Sequence, residues 1–71
     1  MTIERLHEIH SRRPFIPYTL HLADGSELPV KDRDFMSGGP KVRTIEVLHD
    51  GMLHYVDLLL VIKLTTTDEA K

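Results

Sequence analysis

Histidines are the side chains in this sequence that are best suited to metal binding or acid–base chemistry. His7 and His10 stand three residues apart, so on a helix they would share a face and offer two ligands to one metal ion. A zinc site needs three or four ligands, and no third residue stands at a recognised spacing from this pair. His21, His49 and His54 also lack a metal-binding pattern. We therefore expect no metal and interpret the histidines as partly exposed polar side chains.

Nucleophilic catalysis has little support in the sequence. Ser11, Ser26 and Ser37 are the only serines, and none lies in a Gly-x-Ser-x-Gly elbow. The absence of cysteine excludes a thiol nucleophile, a disulfide framework and a thiolate zinc site. The glycine-rich run at 38–41 lacks the Gly-Lys-Ser/Thr ending of a phosphate loop and predicts a turn. We expect a protein that is not an enzyme and that binds no cofactor.

Arginines and aromatic residues favour a different chemistry, the binding of single-stranded nucleic acid. Arg12 and Arg13 are adjacent, and three further cations follow at Arg33, Lys41 and Arg43. On one rim of a domain these groups would contact phosphates, and aromatic rings beside them would stack on bases. The aromatic residues are Phe15, Tyr18, Phe35 and Tyr55. The formal net charge of −2 weakens the attraction to phosphate, so the alternative that these rings belong to the core stays open.

An N-terminal helix, predicted over residues 2–13, would carry the two adjacent arginines in its last turn. Thr2 is suited to cap its first turn, because a threonine hydroxyl accepts from a free backbone N–H. Ile3, Leu6 and Ile9 form one narrow apolar stripe. The proline that follows disfavours helical geometry and ends the helix. A short helix with one stripe is marginal alone, so we expect it to cover the open end of a β-structure.

The following segment, residues 15–64, has the pattern of short β-strands. Apolar residues at positions 18, 20 and 22 alternate with other types, which indicates a half-buried strand. Asp24-Gly25 predicts a two-residue type I′ turn, which needs positive φ at both positions. Pro29 places the returning strand at a sheet edge or in a bulge, or makes it very short. A loop is expected over 32–40.

Three further strands complete the pattern. A run rich in β-branched residues leads to Asp50-Gly51, a second hairpin signal, and the chain returns along 52–56. Leu58–Leu64 is apolar on both faces and is predicted to be central or covered. Five short strands in so short a chain predict a small, strongly bent five-stranded barrel. The expected architecture is one mainly β domain over 1–71, with an N-terminal helix and a frayed tail at 65–71.

Composition and the length of the apolar runs predict a soluble protein. Apolar residues make up 41% and charged residues 28% of the chain, which is typical of a soluble domain. The longest unbroken apolar run, Leu58–Ile62, is far too short to span a membrane. The N-terminus lacks the pattern of a signal peptide. We expect a cytoplasmic protein that does not bind a membrane.

The order of these elements, together with one stretch of residues, resembles a known family. The stretch is SRRPFIPYTLHLADG at 11–25, in which an arginine-bearing helix end leads into a first strand closed by Leu-x-Asp-Gly. It resembles an Sm-like or SH3-like barrel, in particular the bacterial Sm-like RNA chaperones of the Hfq type. The Arg-Pro-Phe-x-Pro-Tyr and Leu-Ala-Asp-Gly runs are also similar to short bacterial proteins of unassigned function.

The resemblance implies a ring of identical subunits that binds single-stranded RNA. Arg12 and Arg13 match the basic rim patch at the helix end of that family. Tyr55 matches the tyrosine of its uridine-contacting Tyr-Lys-His element, in which this chain has Val56 and Asp57 at the other two positions. The alternative function is a protein-interaction or assembly module with no role in nucleic-acid binding.

Self-association is also expected from the size of the chain and from its last strand. A domain of 71 residues with no disulfide or metal is near the lower limit for a stable monomer core. The second apolar face of the last strand, with Leu59 and Val61, needs cover from the helix or from a neighbouring subunit. Pairing of the 52–56 strand with the last strand of the next copy would supply it. Such a contact predicts a closed ring of roughly five to seven subunits, with Leu59 and Val61 near the contact.

Overall fold

The computed structural model describes residues 1–38 and 43–66, so most of the glycine-rich run at 38–41 lies outside it. Within the described residues the chain forms one α-helix and six β-strands, with 3₁₀ turns at Arg33–Phe35 and Leu58–Leu60. In chain order the helix and strands are α1 (Ile3–His10), β1 (Tyr18–Leu22), β2 (Glu27–Val30), β3 (Met36–Ser37), β4 (Thr44–His49), β5 (Met52–Asp57) and β6 (Val61–Thr66). The predicted mainly β fold with one N-terminal helix is confirmed. No helix in this part of the chain is long and apolar enough to cross a membrane.

The six described strands form two antiparallel sheets of three, not the single five-stranded barrel that was predicted. The first sheet has the order β2-β1-β6 and the second β3-β4-β5. The additional strand is β3, which pairs with β4 and lies inside the segment predicted as a loop over 32–40. The side chain of Asp32 accepts a hydrogen bond from the backbone N–H of Asp34 and starts the 3₁₀ turn at Arg33–Phe35. This turn separates β2 from β3, so that consecutive strands belong to different sheets.

One apolar core joins the two sheets. Leu20 and Val30 come from the first sheet, Ile45 and Val47 come from the second, and all four side chains are fully buried in one cluster. Each sheet has an apolar face that must be covered, and three strands with one covered face are about the minimum for stability in water. The two sheets therefore depend on each other.

Helix α1 is shorter than predicted, and its apolar stripe packs on the core. The Thr2 side chain caps it by accepting a hydrogen bond from the backbone N–H three residues later, at 3.2 Å. Ile3 and Leu6 are buried in the core, and the third residue of the stripe packs against it. The helix ends at His10 instead of residue 13, because the N–H of Arg12 bonds to the carbonyl three residues earlier and tightens the last turn.

The two Asp-Gly pairs form different turns. Asp50 and Gly51 both have positive φ, of 55° and 73°, and make the two-residue type I′ loop between β4 and β5. In the β1–β2 hairpin only Gly25 has a positive φ, of 90°, so the type I′ turn predicted at Asp24-Gly25 is wrong. The loop there is one residue longer, and Oδ1 of Asp24 accepts a hydrogen bond from the backbone N–H of Ser26 at 2.9 Å. This local bond holds the turn in its longer form.

The last strand begins later than predicted and lies at a sheet edge. The side chain of Asp57 accepts a hydrogen bond from the N–H of Leu59 at 2.9 Å and caps the second 3₁₀ turn, so β6 covers Val61–Thr66. A bulge at Ile62 shifts the pairing of β6 with β1 by one residue. Among the described strands β6 pairs only with β1, so of the two predicted alternatives, a central or a covered strand over 58–64, the central one is wrong. Two residues of the predicted tail belong to β6, and the others lie outside the described residues.

Candidate assembly and ligand-binding surfaces

Three arginines gather at the end of helix α1. Arg12 and Arg13 are exposed just beyond its last turn. Arg33, in the first 3₁₀ turn, donates a hydrogen bond from Nη2 to the carbonyl oxygen of Arg12 at 2.7 Å. Its guanidinium carbon lies 5.5 Å from the centre of the Phe15 ring, which is within the range of a cation–π interaction. Arg12, Arg13 and Arg33, called the arginine group below, are three of the five predicted rim cations. Lys41, another of the five, lies outside the described residues.

His10 lies beside the arginine group, with both of its ring nitrogens in hydrogen bonds. Nε2 is 2.9 Å from the carbonyl oxygen of Arg33, and Nδ1 is 3.0 Å from the hydroxyl of Tyr18. A carbonyl oxygen only accepts, so Nε2 carries the hydrogen and donates, and Nδ1 accepts from the tyrosine. The Phe15 ring packs edge-on against the imidazole, with the ring centres 5.3 Å apart. His10 thereby ties the helix to β1 and to the 3₁₀ turn that carries Arg33.

The surroundings of His10 favour its neutral form. Burial lowers the pKa of His10, the hydrogen bond to the Arg33 carbonyl raises it, and the nearby positive charges of Arg33 and His7 lower it further. Burial also raises the pKa of the Tyr18 hydroxyl, which is almost completely enclosed. In residues 1–38 and 43–66, no three histidine, aspartate or glutamate side chains come together to hold a metal ion. The geometry at His10 is that of a structural clamp, with no ring nitrogen left for a metal.

Tyr55, the third residue that the Sm-like resemblance assigns to RNA, lies on a different surface. It is on β5, opposite Glu46 of β4, and its side chain is 68% exposed. The ring that contacts the arginine group is that of Phe15, which was one of the candidate stacking residues. In the part of the chain that the structure describes, Tyr55 and the arginine group form no common contact.

Two edge strands carry large apolar side chains on the surface. Among the described strands β5 pairs only with β4 and β6 only with β1, so each has one side without a strand partner. Leu53 and Tyr55 of β5 are exposed, as are Ile62 of β6 and Leu59 just before it, the last with 70% of its surface accessible. Proteins usually protect such edges with charged residues, prolines or a covering element. Lys63 is the only charged residue of β6, so this edge is weakly protected.

The two residues predicted at a subunit contact differ in their positions. Leu59 is exposed and remains available to a partner. Val61 is only 2% exposed and packs in the core of its own protomer, so it offers almost no surface to a partner. The 3₁₀ turn and the bulge change the alternation of faces and bring Ile62 to the surface. The sequence signal for this change is Asp57, because an aspartate commonly bonds to the backbone two residues later and starts a turn.

A groove of about 680 Å³ lies between the β1–β2 turn and strand β5. Leu22 and Leu28 line it from the first sheet, and Leu53, Tyr55 and Val56 line it from β5. Its volume falls within the range of ligand-binding clefts, roughly 300–1,000 Å³. The groove was not predicted, since it forms between segments that are distant in the sequence.

Carboxylates lie along this groove. Asp24, Glu27 and Asp50, called the acidic rim below, are among its lining residues, and no lysine or arginine of the described chain lines it. Hydrogen bonds from the hydroxyl and the backbone N–H of Ser26, at 2.6 and 2.9 Å, lower the pKa of Asp24. Glu27 lies 3.6 Å from Nδ1 of His21 on the neighbouring strand. The groove thus combines apolar walls with negative charge.

Comparison of the chain with models of protein families, with curated proteins and with solved structures finds no match in any of the three. Three surfaces described above are the candidate functional sites of the described chain. They are the arginine group, the two apolar edge strands and the acidic groove.

Proposed function

We propose that the chain is a non-enzymatic assembly module that associates with copies of itself through the edges of β5 and β6. The observation that carries this proposal is the pair of edge strands, each with one strand partner and each accompanied by exposed apolar side chains. Pairing the β5 edge of one copy with the β6 edge of the next supplies hydrogen-bond partners to both backbones. It also removes apolar surface from water, at about 25 cal/mol for each Å² buried.

The proposed contact leads to a closed ring. β5 and β6 are different strands, so the contact joins unlike surfaces, head to tail, and repeats from copy to copy. Such a series closes when the rotation between copies permits and otherwise grows into a filament. The resemblance to Sm-like proteins supports the closed form, with roughly five to seven subunits. The small core of this chain also supports a closed ring, because assembly buries surface that one small domain leaves exposed.

The experiment is light scattering coupled to size-exclusion chromatography over a range of micromolar concentrations. We expect the native chain to elute at a defined multiple of its monomer mass and Ile62→Lys, at an exposed edge position, to shift it toward monomer. Phe35→Lys is the matched control, because Phe35 is exposed on the first 3₁₀ turn and belongs to neither edge. A monomeric native chain, or equal behaviour of the two variants, would contradict the proposal. Val61→Asp is unsuitable, since it buries a charge in the core.

A second candidate function, the binding of single-stranded RNA, is favoured by the arginine group. Arg33 donates to the backbone carbonyl of Arg12 and lies over Phe15, so its guanidinium and the ring are held beside the segment that carries Arg12 and Arg13. Phosphate contacts and base stacking are the two interactions that bind single-stranded nucleic acid. In a ring, this surface would repeat once in each subunit, so weak individual contacts would add along one strand.

RNA binding is tested by titrating a single-stranded RNA oligonucleotide at several salt concentrations. We expect the logarithm of the affinity to fall linearly with the logarithm of the salt concentration, with a slope of about −0.7 for each phosphate contacted. Arg13→Ala should lower the affinity and make this slope shallower. Arg5→Ala is the matched control, because Arg5 lies on the exposed face of the helix and pairs with Glu8. Absence of binding at low salt would leave the assembly function alone.

A further inference from the structure

We infer that the acidic groove is the receptor for strand β6 of a second copy, with Lys63 of that copy lying against the acidic rim. This inference rests on the proposed self-association and specifies which surfaces meet. It is carried by three observations of the described chain: the groove beside β5, the acidic rim, and the charge of the edge strands.

The groove is positioned to receive a strand. Strand β5 forms one of its walls, and β5 is an edge with a strand partner on one side only among the described residues. A segment that lies in the groove can therefore pair with the β5 backbone while its side chains contact the apolar lining. Leu53 and Tyr55 supply the exposed apolar surface of that lining, whereas Leu28 and Val56 lie mostly in the core. Addition of a strand to an exposed edge, with side-chain pockets beside it, is a common mode of recognition between proteins.

The charge of each edge strand indicates which of them can occupy the acidic groove of a second copy. The described edges are β2, β3, β5 and β6. β2 carries Glu27 and β5 carries Asp57, so each would bring negative charge to the acidic rim, and β3 has only two residues. β6 carries one cation, Lys63, and no carboxylate. Complementary charge fixes the register and the choice of partner at an interface, whereas like charges oppose the contact.

The exposed side chains of β6 match both components of the groove. Ile62 and Lys63 are adjacent and exposed, because the bulge at Ile62 interrupts the alternation of the strand. Ile62 offers apolar surface to the walls, and the ammonium group of Lys63 can reach a rim carboxylate such as that of Glu27. In the proposed contact each copy gives β6 to one neighbour and receives β6 from another.

Charge reversal tests this contact directly. Lys63→Glu and Glu27→Lys each place like charges together, and each is expected to weaken assembly about tenfold or more, as measured by light scattering during dilution. An equimolar mixture of the two single variants should assemble again, because each contact between unlike variants joins opposite charges, and a ring with an even number of subunits can consist of such contacts alone. The double variant Lys63→Glu, Glu27→Lys should assemble for the same reason. The matched controls are Lys31→Glu and Glu8→Lys, which reverse exposed charges away from both surfaces.

The outcomes separate this inference from the proposed function. If Ile62→Lys dissociates the assembly while the charge variants and the mixture behave like the native chain, self-association stands and the groove contact is wrong. If the native chain is monomeric, both proposals fail. Circular dichroism of each variant at low concentration verifies the fold, and Glu27→Gln, which removes the charge without reversing it, is expected to give a smaller effect in the same direction. Rescue by mixing requires folded variants, so loss of structure cannot imitate it.

Discussion

Replacement of Leu6 by alanine is expected to remove about 3 kcal/mol from the free energy of unfolding. Leu6 is the helix residue with no exposed surface, and it packs in the cluster that both sheets share. Truncation to alanine loses the transfer free energy of the side chain and leaves a cavity between the helix and the sheets. Alanine has the higher helix propensity, so the loss measures docking of the helix and not its formation.

The magnitude matters because the chain is small. At about 0.05–0.15 kcal/mol for each residue, a domain of this length has roughly 4–11 kcal/mol of stability in total. One substitution on the helix would thus remove a large share of it, and deletion of residues 1–13 should abolish cooperative unfolding. A helix whose side chains did not pack in the core would give neither result.

Urea unfolding followed by far-ultraviolet circular dichroism measures this loss at a matched chain concentration. With a slope of about 1–1.5 kcal/mol per molar urea, the midpoint should fall by about 2–3 M. Arg5→Ala is the neighbouring control, because its exposed ion pair with Glu8 contributes at most about 1 kcal/mol. Equal midpoints for the two variants would refute the argument that the helix closes the core.

Three further predictions concern local contacts. Tyr18→Phe should cost about 1–2 kcal/mol in urea unfolding, because Nδ1 of His10 loses its donor. The pKa of His10 is lowered in the folded state, so the unfolded chain binds a proton first as the pH falls. The contribution of neutral His10 to stability is therefore complete above about pH 6.5 and is lost as the pH falls below that value. The decline between pH 7.5 and 5.5 should be smaller in His10→Gln than in the native chain, and an equal decline would exclude His10 as its source. Gly51→Ala should lower the thermal midpoint, with a cost of about 1–2 kcal/mol, since φ at Gly51 is 73°, whereas Asp50→Asn, which tolerates positive φ, should change it little.

Elements that depend on neighbouring residues were predictable from the sequence. Thr2 caps the helix as expected, and Asp50-Gly51 forms the expected hairpin turn. The apolar alternation over 18–22 matches β1 in its bounds. Each of these signals acts over two to five residues, a range within which side-chain and backbone preferences decide the conformation.

Features that depend on distant partners were not predictable in the same way. The bulge at Ile62 arises from the register between β6 and β1, which the residues of β6 alone do not encode. Asp57 then shifts the start of that strand by capping a 3₁₀ turn in a run that is otherwise apolar. Together these changes bury Val61 and leave Leu59 exposed, although the alternation had placed both at one contact. For the candidate ligand surface, the association of Arg12 with Arg33 agrees with the predicted rim, while the separate position of Tyr55 depends on the tertiary fold.

Because Tyr18 lies opposite Thr66, the first sheet is completed only after nearly the whole described chain has left the ribosome. Synthesis at about 5–20 residues per second leaves the nascent β1 edge open for several seconds. During that interval the β4–β5 hairpin can already form, because its two strands are joined by a two-residue turn. Closure of the first sheet is therefore a late, long-range step of folding that follows formation of the local hairpins.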